Sequence, residues 1–298
     1  MGDSVMDSPI KWHGGKHYFA KQFIAMMPPH LNYVEPYAGS LAVLLERDAD
    51  RDWLSDGVRK LGSGEKGSSE FVNDLSYELT NFWCAIQDDE CFAAFKRRIE
   101  ATPCSEVEFE GAGKEPELQW DKKGGMIGHA VNFFIRCRQS RAATFKGFTT
   151  LAKSRTRRGM NELPSAWLTA IEGLPAIHAR LQKVVILNDT ALSVIRSTDH
   201  ELTLFYLDPP YLHETRATTG QYAHEMTADD HAALLATLEG IKGKFMLSGY
   251  RSATYDQWAA KNDFHLTEFK TANHASGGKA KREMTECVWA NYVPRNAG

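Results

Sequence analysis

The sequence predicts an α/β fold in which alternating strands and helices build an open, Rossmann-like sheet. Short β-prone apolar runs at residues 33–35, 71–73 and 203–207 each end in an acid or a turn. Two further strand-like segments, 243–248 and 284–291, come near the end of the chain. Alternating units closed by terminal strands are typical of a mixed sheet. In such sheets, ligands bind beyond the carboxyl ends of the strands.

Length and composition limit the class of protein. A chain of 298 residues can bury a large core and fits one elaborated domain or two. The net charge of -3 argues against a uniformly basic surface, although a local basic patch remains compatible with it. The five cysteines lack the paired spacing of a zinc site, so we expect reduced thiols and no metal. No apolar run suggests a signal or membrane segment, and we expect a cytoplasmic protein.

The remaining elements follow from periodicity and turn chemistry. Helices are predicted at residues 18–27, 41–47, 75–83, 93–101, 131–135, 164–172, 177–181 and 227–238. Gly173 is expected to end the helix that precedes it. The acidic stretch 106–110 is expected to be a solvated loop, as are the polar segments 48–69 and 213–222. The last of these segments is predicted to be a mobile cover beside the site.

A Gly-Gly turn makes the first motif, which runs from Trp12 to Lys16. Glycines let the backbone turn tightly against a ligand. Trp12 offers a stacking face, and Lys16 is a cation with reach. Many surface turns have the same composition. Taken alone, the motif therefore fits either a ligand-binding turn or an ordinary surface turn.

The first strand leads into a turn of small residues at 36–40. Gly39 permits close approach of the backbone to a ligand, and the N-terminus of the next helix favours a carboxylate. An ordinary tight turn explains Ser40 and Leu41 equally well. The second strand ends at Asp74, where an acid commonly accepts hydrogen bonds from ribose hydroxyls. Capping of the following helix is the alternative role for Asp74, and both roles can hold.

The apolar run at 203–207 ends abruptly in Asp208, Pro209, Pro210 and Tyr211. Prolines cannot continue a sheet ladder, so the strand must stop there. A stiff turn at this place holds one acid, proline carbonyls and one aromatic face in fixed directions. Those groups suit a flat heterocycle with an amine. Asp208 and a carbonyl would accept the amine hydrogens while Tyr211 stacks on the ring.

A block of basic residues lies between these motifs, and no Asp or Glu interrupts it. Its members are Arg136, Arg138, Arg141, Lys146, Lys153, Arg155, Arg157 and Arg158. This is the region of the chain best suited to phosphate, with two phenylalanines among the cations. For any one of these residues, a solvated surface position is the alternative. Arg141 and Asn161 are candidates for reading base edges in a major groove.

In this order, the motifs resemble those of the Dam-type (alpha-group) N6-adenine-specific DNA methyltransferase family. The resemblance rests on Trp-x-Gly-Gly-Lys, Glu-Pro-Tyr-x-Gly, Asn-Asp-Leu, the basic block and Asp-Pro-Pro-Tyr. It implies a class I methyltransferase sheet with a mainly helical target-recognition insert. It also implies S-adenosylmethionine as cofactor and double-stranded DNA as partner. The implied catalytic domain comprises residues 1–85 and 182–298, and the implied insert comprises residues 86–181.

The resemblance also implies roles for individual residues. The implied cofactor-binding residues are Trp12, Lys16, Glu35, Tyr37, Gly39, Asp74, Asp189 and Asp208. The implied catalytic residues are Asp208, Pro209, Pro210 and Tyr211. For Asp189, capping of the next helix is an equal alternative. The family's F-x-G-x-G turn has Tyr37 in place of its Phe and Leu41 in place of its last glycine.

Several functions remain open from the sequence. Cytosine-N4 methylation on the same fold is the nearest alternative, followed by a protein or RNA amino-methyltransferase. A DNA-binding protein with an inactive methyltransferase site is a third, and Leu41 is the one residue that favours it. A nicotinamide dehydrogenase is disfavoured because the G-x-G-x-x-G fingerprint is missing. The recognition sequence, the oligomeric state and any pairing with a restriction enzyme stay undetermined. Action in a bacterial or phage-infected cell is expected.

Overall fold

The computed structural model describes residues 6–12, 14–48, 53, 68–114, 124–141, 144–149, 151, 153–212, 225–272 and 283–295. Most of the predicted loop at 48–69 and all of the predicted cover at 213–222 lie outside these ranges. Contacts divide the chain into two compact units. The first unit comprises Met1–Lys21, Gly39–Asp48 and Ser76–Asn188, and the second comprises Gln22–Ala38, Ala49–Leu75 and Asp189–Gly298. The predicted boundaries of a catalytic domain and an insert concern function and stay a prediction.

Helices and strands alternate along most of the described chain. The helices are α1 (Ala20–Met26), α2 (Ala42–Glu46), α3 (Tyr77–Gln87), α4 (Asp89–Glu100), α5 (Glu106–Lys114), α6 (Gly124–Gln139), α7 (Glu162–Leu181), α8 (Ala191–Thr198), α9 (Ala228–Glu239) and α10 (Ala253–Lys261). The strands are β1 (Asn32–Glu35), β2 (Ser69–Asn73), β3 (Thr156–Arg157), β4 (Met160–Asn161), β5 (Val184–Leu187), β6 (Thr203–Leu207), β7 (Lys244–Gly249), β8 (His265–Ala272) and β9 (Glu283–Ala290).

A mixed sheet forms the centre of the second unit. Six of its strands pair in the order β2-β1-β6-β7-β9-β8. β1 runs parallel to β2 and β6, and β6 runs parallel to β7. β9 runs antiparallel to both β7 and β8. All five residues of β6 are buried, as expected for a central strand covered on both faces. The predicted α/β fold with a Rossmann-like mixed sheet is confirmed.

Aromatic side chains pack the helices of the first unit together. Ser76 caps α3 by accepting a hydrogen bond from the Leu79 backbone, and an apolar stripe follows along the helix. Phe82, in that stripe, stacks on Phe134 of α6 with ring centroids 5.8 Å apart and an interplanar angle of 9°. Phe95 of α4 meets the same Phe134 ring edge-on at 5.7 Å. These offset and edge contacts are the favoured arrangements of aromatic pairs.

The prediction of a solvated loop at 106–110 was wrong, because this stretch begins α5. The Ser105 hydroxyl caps the helix at the Glu108 backbone, 3.2 Å away. Acidic residues in the first turn interact favourably with the helix dipole, and Phe109 is 8% exposed and anchors the helix. An acidic run therefore formed a helix here, since it carries a cap and one apolar anchor.

The prediction that Gly173 ends a helix was also wrong. α7 is 20 residues long and runs through Gly173 and Pro175 to Leu181. Its buried stripe includes Trp167, Leu174 and Leu181, spaced as one face of a helix. Glycine and proline cost about 1 and 3 kcal/mol in a helix interior. The continuous buried face outweighs that cost.

Candidate active site

The predicted acids of the second unit meet at one edge of the sheet. Glu35 is the last residue of β1, Asp74 follows β2, and Asp208 follows β6. Because the three strands are parallel neighbours, their carboxyl ends lie side by side. Glu35 is 1% exposed and accepts a hydrogen bond from the Tyr33 hydroxyl at 2.7 Å. Asp74 is half-buried, so its carboxylate is accessible to hydroxyl donors.

Hydrogen bonds of the Asn73 side chain connect the chain segments at this edge. Its side-chain amide donates to the carbonyl oxygens of Pro36 at 3.0 Å and Asp189 at 2.9 Å. Its own side-chain oxygen accepts from the Asp189 backbone at 2.9 Å. The residue is 1% exposed. Asn73 belongs to the Asn-Asp-Leu motif of the sequence analysis, which assigned it no role. A buried amide that satisfies three backbone groups therefore ties the turn after β1 and the backbone at Asp189 to the end of β2.

Asp208 lies at this edge with one carboxylate oxygen held in place. The Ser248 hydroxyl, on β7, lies 2.9 Å from Asp208 Oδ1 and 3.1 Å from the Leu207 carbonyl oxygen. Ser248 is 0% exposed, whereas Asp208 is half-buried. A hydroxyl has one hydrogen, so it serves one of these acceptors at a time. Pro209 is buried, and Pro210 is half-buried. Ser248 is a residue of the candidate site that the sequence analysis missed.

Tyr211 is 7% exposed, and both its hydroxyl and its ring have contacts. Its hydroxyl donates to the carboxylate of Glu286 on β9. Its ring meets Tyr250 edge-on, with centroids 4.8 Å apart and an interplanar angle of 76°. Burial, followed by the nearby Asp208 and Glu286 charges, raises the pKa of Tyr211 well above its usual value. The phenol is therefore protonated and able to donate. Stacking of this ring on a base stays a prediction.

In the first unit, Trp12 and Gly39 lie against each other. Gly39 has φ +48, and a Cβ added there would come 3.0 Å from Trp12 Nε1. The Gly39 carbonyl accepts a hydrogen bond from Trp83 Nε1 at 3.1 Å. Lys16 is 7% exposed, and its ammonium donates to the Gly14 carbonyl at 2.8 Å. The turn thus requires glycine at position 39 for its backbone angle and for the indole beside it.

Leu41 occupies the position of the last glycine in the family's turn. Its φ is 57, in the left-handed region that favours glycine. Its side chain is 0% exposed. The turn therefore keeps the backbone angle that glycine would adopt, although the residue is a leucine.

The side chains of Tyr37 and Asp189 have different environments. Burial and the Asp230 charge raise the pKa of the Tyr37 hydroxyl. The Asp189 carboxylate accepts hydrogen bonds from Ser193 Oγ at 2.7 Å and the Thr190 backbone at 2.6 Å, and both lower its pKa. The N-cap of α8 is Thr190, whose hydroxyl accepts from the Ser193 backbone, and Asp189 lies one residue before it. Contact of Asp189 with a cofactor remains a prediction.

The basic block divides into two parts. Arg136 and Arg138 lie near the end of α6 and are half-buried. The Arg138 guanidinium donates to the Ala166 carbonyl at 2.9 Å, and burial lowers its pKa. Arg136 lies 5.7 Å from the centre of the Phe145 ring. These two cations have packing roles in the structure.

The remaining six cations are exposed. They are Arg141, Lys146, Lys153, Arg155, Arg157 and Arg158. The last two lie on a β-hairpin in which β3 pairs with β4, and Arg158 and Gly159 form its turn with φ 54 and 74. Two consecutive positive φ angles match a type I′ turn. Arg158 pairs with Glu172 through two hydrogen bonds of 2.8 and 3.0 Å. Arg155 lies 3.6 Å from Glu162.

Within the described ranges, no group of three or more His, Cys, Asp or Glu side chains could hold a metal ion. Of the helices given above, none is both long and apolar enough to cross a bilayer.

Comparison with known proteins identifies relatives. Residues 12–274 match the family model of the D12 class N6 adenine-specific DNA methyltransferases. The chain is 21% identical over 282 residues to the DNA adenine methylases of Escherichia coli K12 and O157:H7. These alignments cover 92% of this chain and 91% of each relative. A solved structure of the rRNA methyltransferase AviRa from Streptomyces viridochromogenes shares 12% identity, with 100% of this chain and 92% of that chain covered and a TM-score of 0.35.

Proposed function

Because the chain belongs to the D12 class N6 adenine-specific DNA methyltransferase family, we propose that Asp208, Pro209, Pro210 and Tyr211 form its reaction site. The enzyme transfers a methyl group from S-adenosylmethionine to the N6 amine of adenine in DNA. The observation that carries the site assignment is the position of Asp208. It is half-buried at the carboxyl edge of the sheet, and the Ser248 hydroxyl lies 2.9 Å from one of its oxygens.

Asp208 and the Pro209 carbonyl would accept the two hydrogens of the adenine amine. Both acceptors favour a pyramidal nitrogen whose lone pair points at the methyl group. That preference is strongest in the transition state, which is where an interaction increases the rate. The adenine must first leave the duplex stack, at a cost of a few kcal/mol. Contact with Tyr211 would offset part of that cost.

The chemistry of the available groups suits the cofactor. S-adenosylmethionine supplies a methyl group on a sulfonium, which is a good leaving group. In the second unit, the half-buried Asp74 would accept hydrogen bonds from ribose hydroxyls. In the first unit, Trp12 and Lys16 keep their proposed roles in cofactor binding. Alignment of amine, methyl and sulfur by such groups can contribute roughly 7–11 kcal/mol.

For the DNA interface, we propose the exposed cations of the basic block, within the target-recognition insert at 86–181. Lys153 and Arg157 are exposed and form no ion pair with a described residue, so their charges are available to phosphates. The hairpin presents its turn to solvent, and its side chains would approach base edges. We propose double-stranded DNA as the substrate, in which the phosphate contacts would position the duplex and the hairpin would approach the bases. The proposed place of action is the cytoplasm of a bacterial or phage-infected cell.

The test is the identity of the methylated nucleoside. DNA incubated with the wild-type protein and S-adenosylmethionine is digested to nucleosides, and N6-methyl-2′-deoxyadenosine is quantified. Asp208→Ala should lower the rate by about 100-fold or more, as expected for loss of a transition-state contact. Asp229→Ala, which removes an exposed acid at the start of α9, serves as the matched control and should match wild type. Full activity of Asp208→Ala would refute the site assignment, and N4-methyl-2′-deoxycytidine in the digest would identify the alternative reaction.

A further inference from the structure

Three polar side chains lie in a row on one face of the sheet in the second unit. Tyr206 of β6 is opposite Met246 of β7, and Ser248 of β7 is opposite Val288 of β9. Residues two apart on a strand share a face, and so do directly opposite residues. Tyr206, Ser248 and Glu286 therefore project from the same face. They are only 3%, 0% and 5% exposed, respectively.

Glu286 is the member of this row whose presence packing does not explain. The four residues after it in β9, from Cys287 to Ala290, are all buried and apolar. Burial of a carboxylate costs several kcal/mol unless hydrogen bonds compensate. An apolar residue would therefore serve packing better at position 286. The Tyr211 hydroxyl donates to this carboxylate, which is one such compensating bond.

The hydrogen bond to Glu286 fixes the position of the Tyr211 hydroxyl. Tyr211 follows two prolines, so the path of its backbone is stiff. Its ring can still turn about the side-chain torsions. Tyr250 contacts the ring edge-on, and Glu286 holds the hydroxyl at the far end. Together, the hydrogen bond at the hydroxyl and the ring contact restrict the rotation of the Tyr211 side chain.

We propose that Glu286 is a positioning residue of the methyltransferase site, whose carboxylate fixes the Tyr211 ring beside Asp208. The inference rests on the proposed function, because the ring needs a fixed orientation only if it contacts the adenine. Glu286 acts through the Tyr211 hydroxyl and does not touch the substrate. Its loss should lower kcat on DNA and leave the KM for S-adenosylmethionine unchanged.

The experiment compares four variants by steady-state kinetics on DNA. Glu286→Gln keeps an oxygen that accepts from Tyr211, and it should retain kcat to within about 3-fold. Glu286→Met has similar length and no such acceptor, and it should lose about 10- to 100-fold, the range for a hydrogen bond to a charged group. Tyr211→Phe should lose a similar factor. The double variant Glu286→Met/Tyr211→Phe should be no slower than the slower single variant.

Controls separate this inference from the proposed function. Glu268→Met removes an exposed acid on the neighbouring strand β8 and should leave kcat unchanged. If thermal unfolding shows that Glu286→Met is not folded, Glu286→Leu, which also lacks an acceptor, takes its place alone and combined with Tyr211→Phe, with the same expected kcat values. Multiplied losses in the double variant, or equal losses in Glu286→Gln and Glu286→Met, would overturn the inference. Wild-type protein that methylates no DNA would instead overturn the proposed function.

Discussion

Leu41 is a leucine in a turn whose backbone angle favours glycine, and this conflict can be measured. Its φ of 57 lies in the left-handed region, which costs about 1–2 kcal/mol for a residue with a side chain. Its side chain is 0% exposed, and full burial of a leucine stabilises the fold by about 1.5–3 kcal/mol. Burial therefore outweighs strain. We infer that the turn tolerates the missing glycine because the core uses the leucine side chain.

Leu44 provides a matched control for this inference. It lies in α2, only three residues further on, and is also 0% exposed. At Leu44, replacement by glycine costs about 0.5–1 kcal/mol more than replacement by alanine, because glycine is unfavourable inside a helix. At Leu41, alanine keeps the strain and glycine removes it. Compared with position 44, the free energy of unfolding of the Gly variant relative to the Ala variant should therefore be higher at position 41 by about 1–2 kcal/mol.

The assay is chemical denaturation of four variants, each position carrying Ala or Gly, with the free energy of unfolding extrapolated to water. All four should be less stable than wild type, since each loses a buried side chain. At Leu44, Ala should be the more stable variant. At Leu41, Gly should equal or exceed Ala. If glycine were less stable than alanine by the same amount at both positions, the left-handed strain at Leu41 would be refuted.

Three further predictions follow from the site. Gly39→Ala brings a Cβ 3.0 Å from an indole nitrogen, whereas Gly147→Ala has a similar positive φ and no atom within 4 Å. Titration should give about 10-fold weaker S-adenosylmethionine binding for the first variant only. Asn73→Ala breaks three hydrogen bonds at the carboxyl edge and should lower the unfolding free energy by about 2–4 kcal/mol in urea. Arg157→Ala should reduce the slope of log affinity for DNA against log salt by about 0.9, and Arg158→Ala by less, because Arg158 already pairs with Glu172.

The parts of the fold that the sequence predicted well are those whose signals are local. β1 is a short β-prone segment that ends in an acid, β6 is an apolar run that stops at Asp208, and the structure has strands at both places. The predicted acids Glu35 and Asp208 lie at the ends of these strands. Parallel pairing then brings them to one edge without further information. A local pattern and the parallel pairing of the strands were sufficient to predict the positions of Glu35 and Asp208.

Predictions failed where a local signal competed with a burial pattern. In α7, Gly173 and Pro175 are local signals for an end, yet the buried face continues past both. In α5, an acidic run suggested a loop, but one buried phenylalanine anchors a helix. Glycine, proline and charge contribute a few kcal/mol at most, and the packing of a long apolar face can exceed that. Sequence periodicity over the whole stretch is therefore the better guide in such segments.

The residues that hold the site in place could not be identified from motifs. Ser248 is 40 residues from Asp208 along the chain, and Glu286 is 75 residues from Tyr211. Neither lies in a turn, where functional residues are usually sought. Each is a polar residue inside an apolar strand, where it has a cost unless a partner is present. That cost is the usable signal, because a buried polar residue without a packing reason points to a partner fixed elsewhere in the fold.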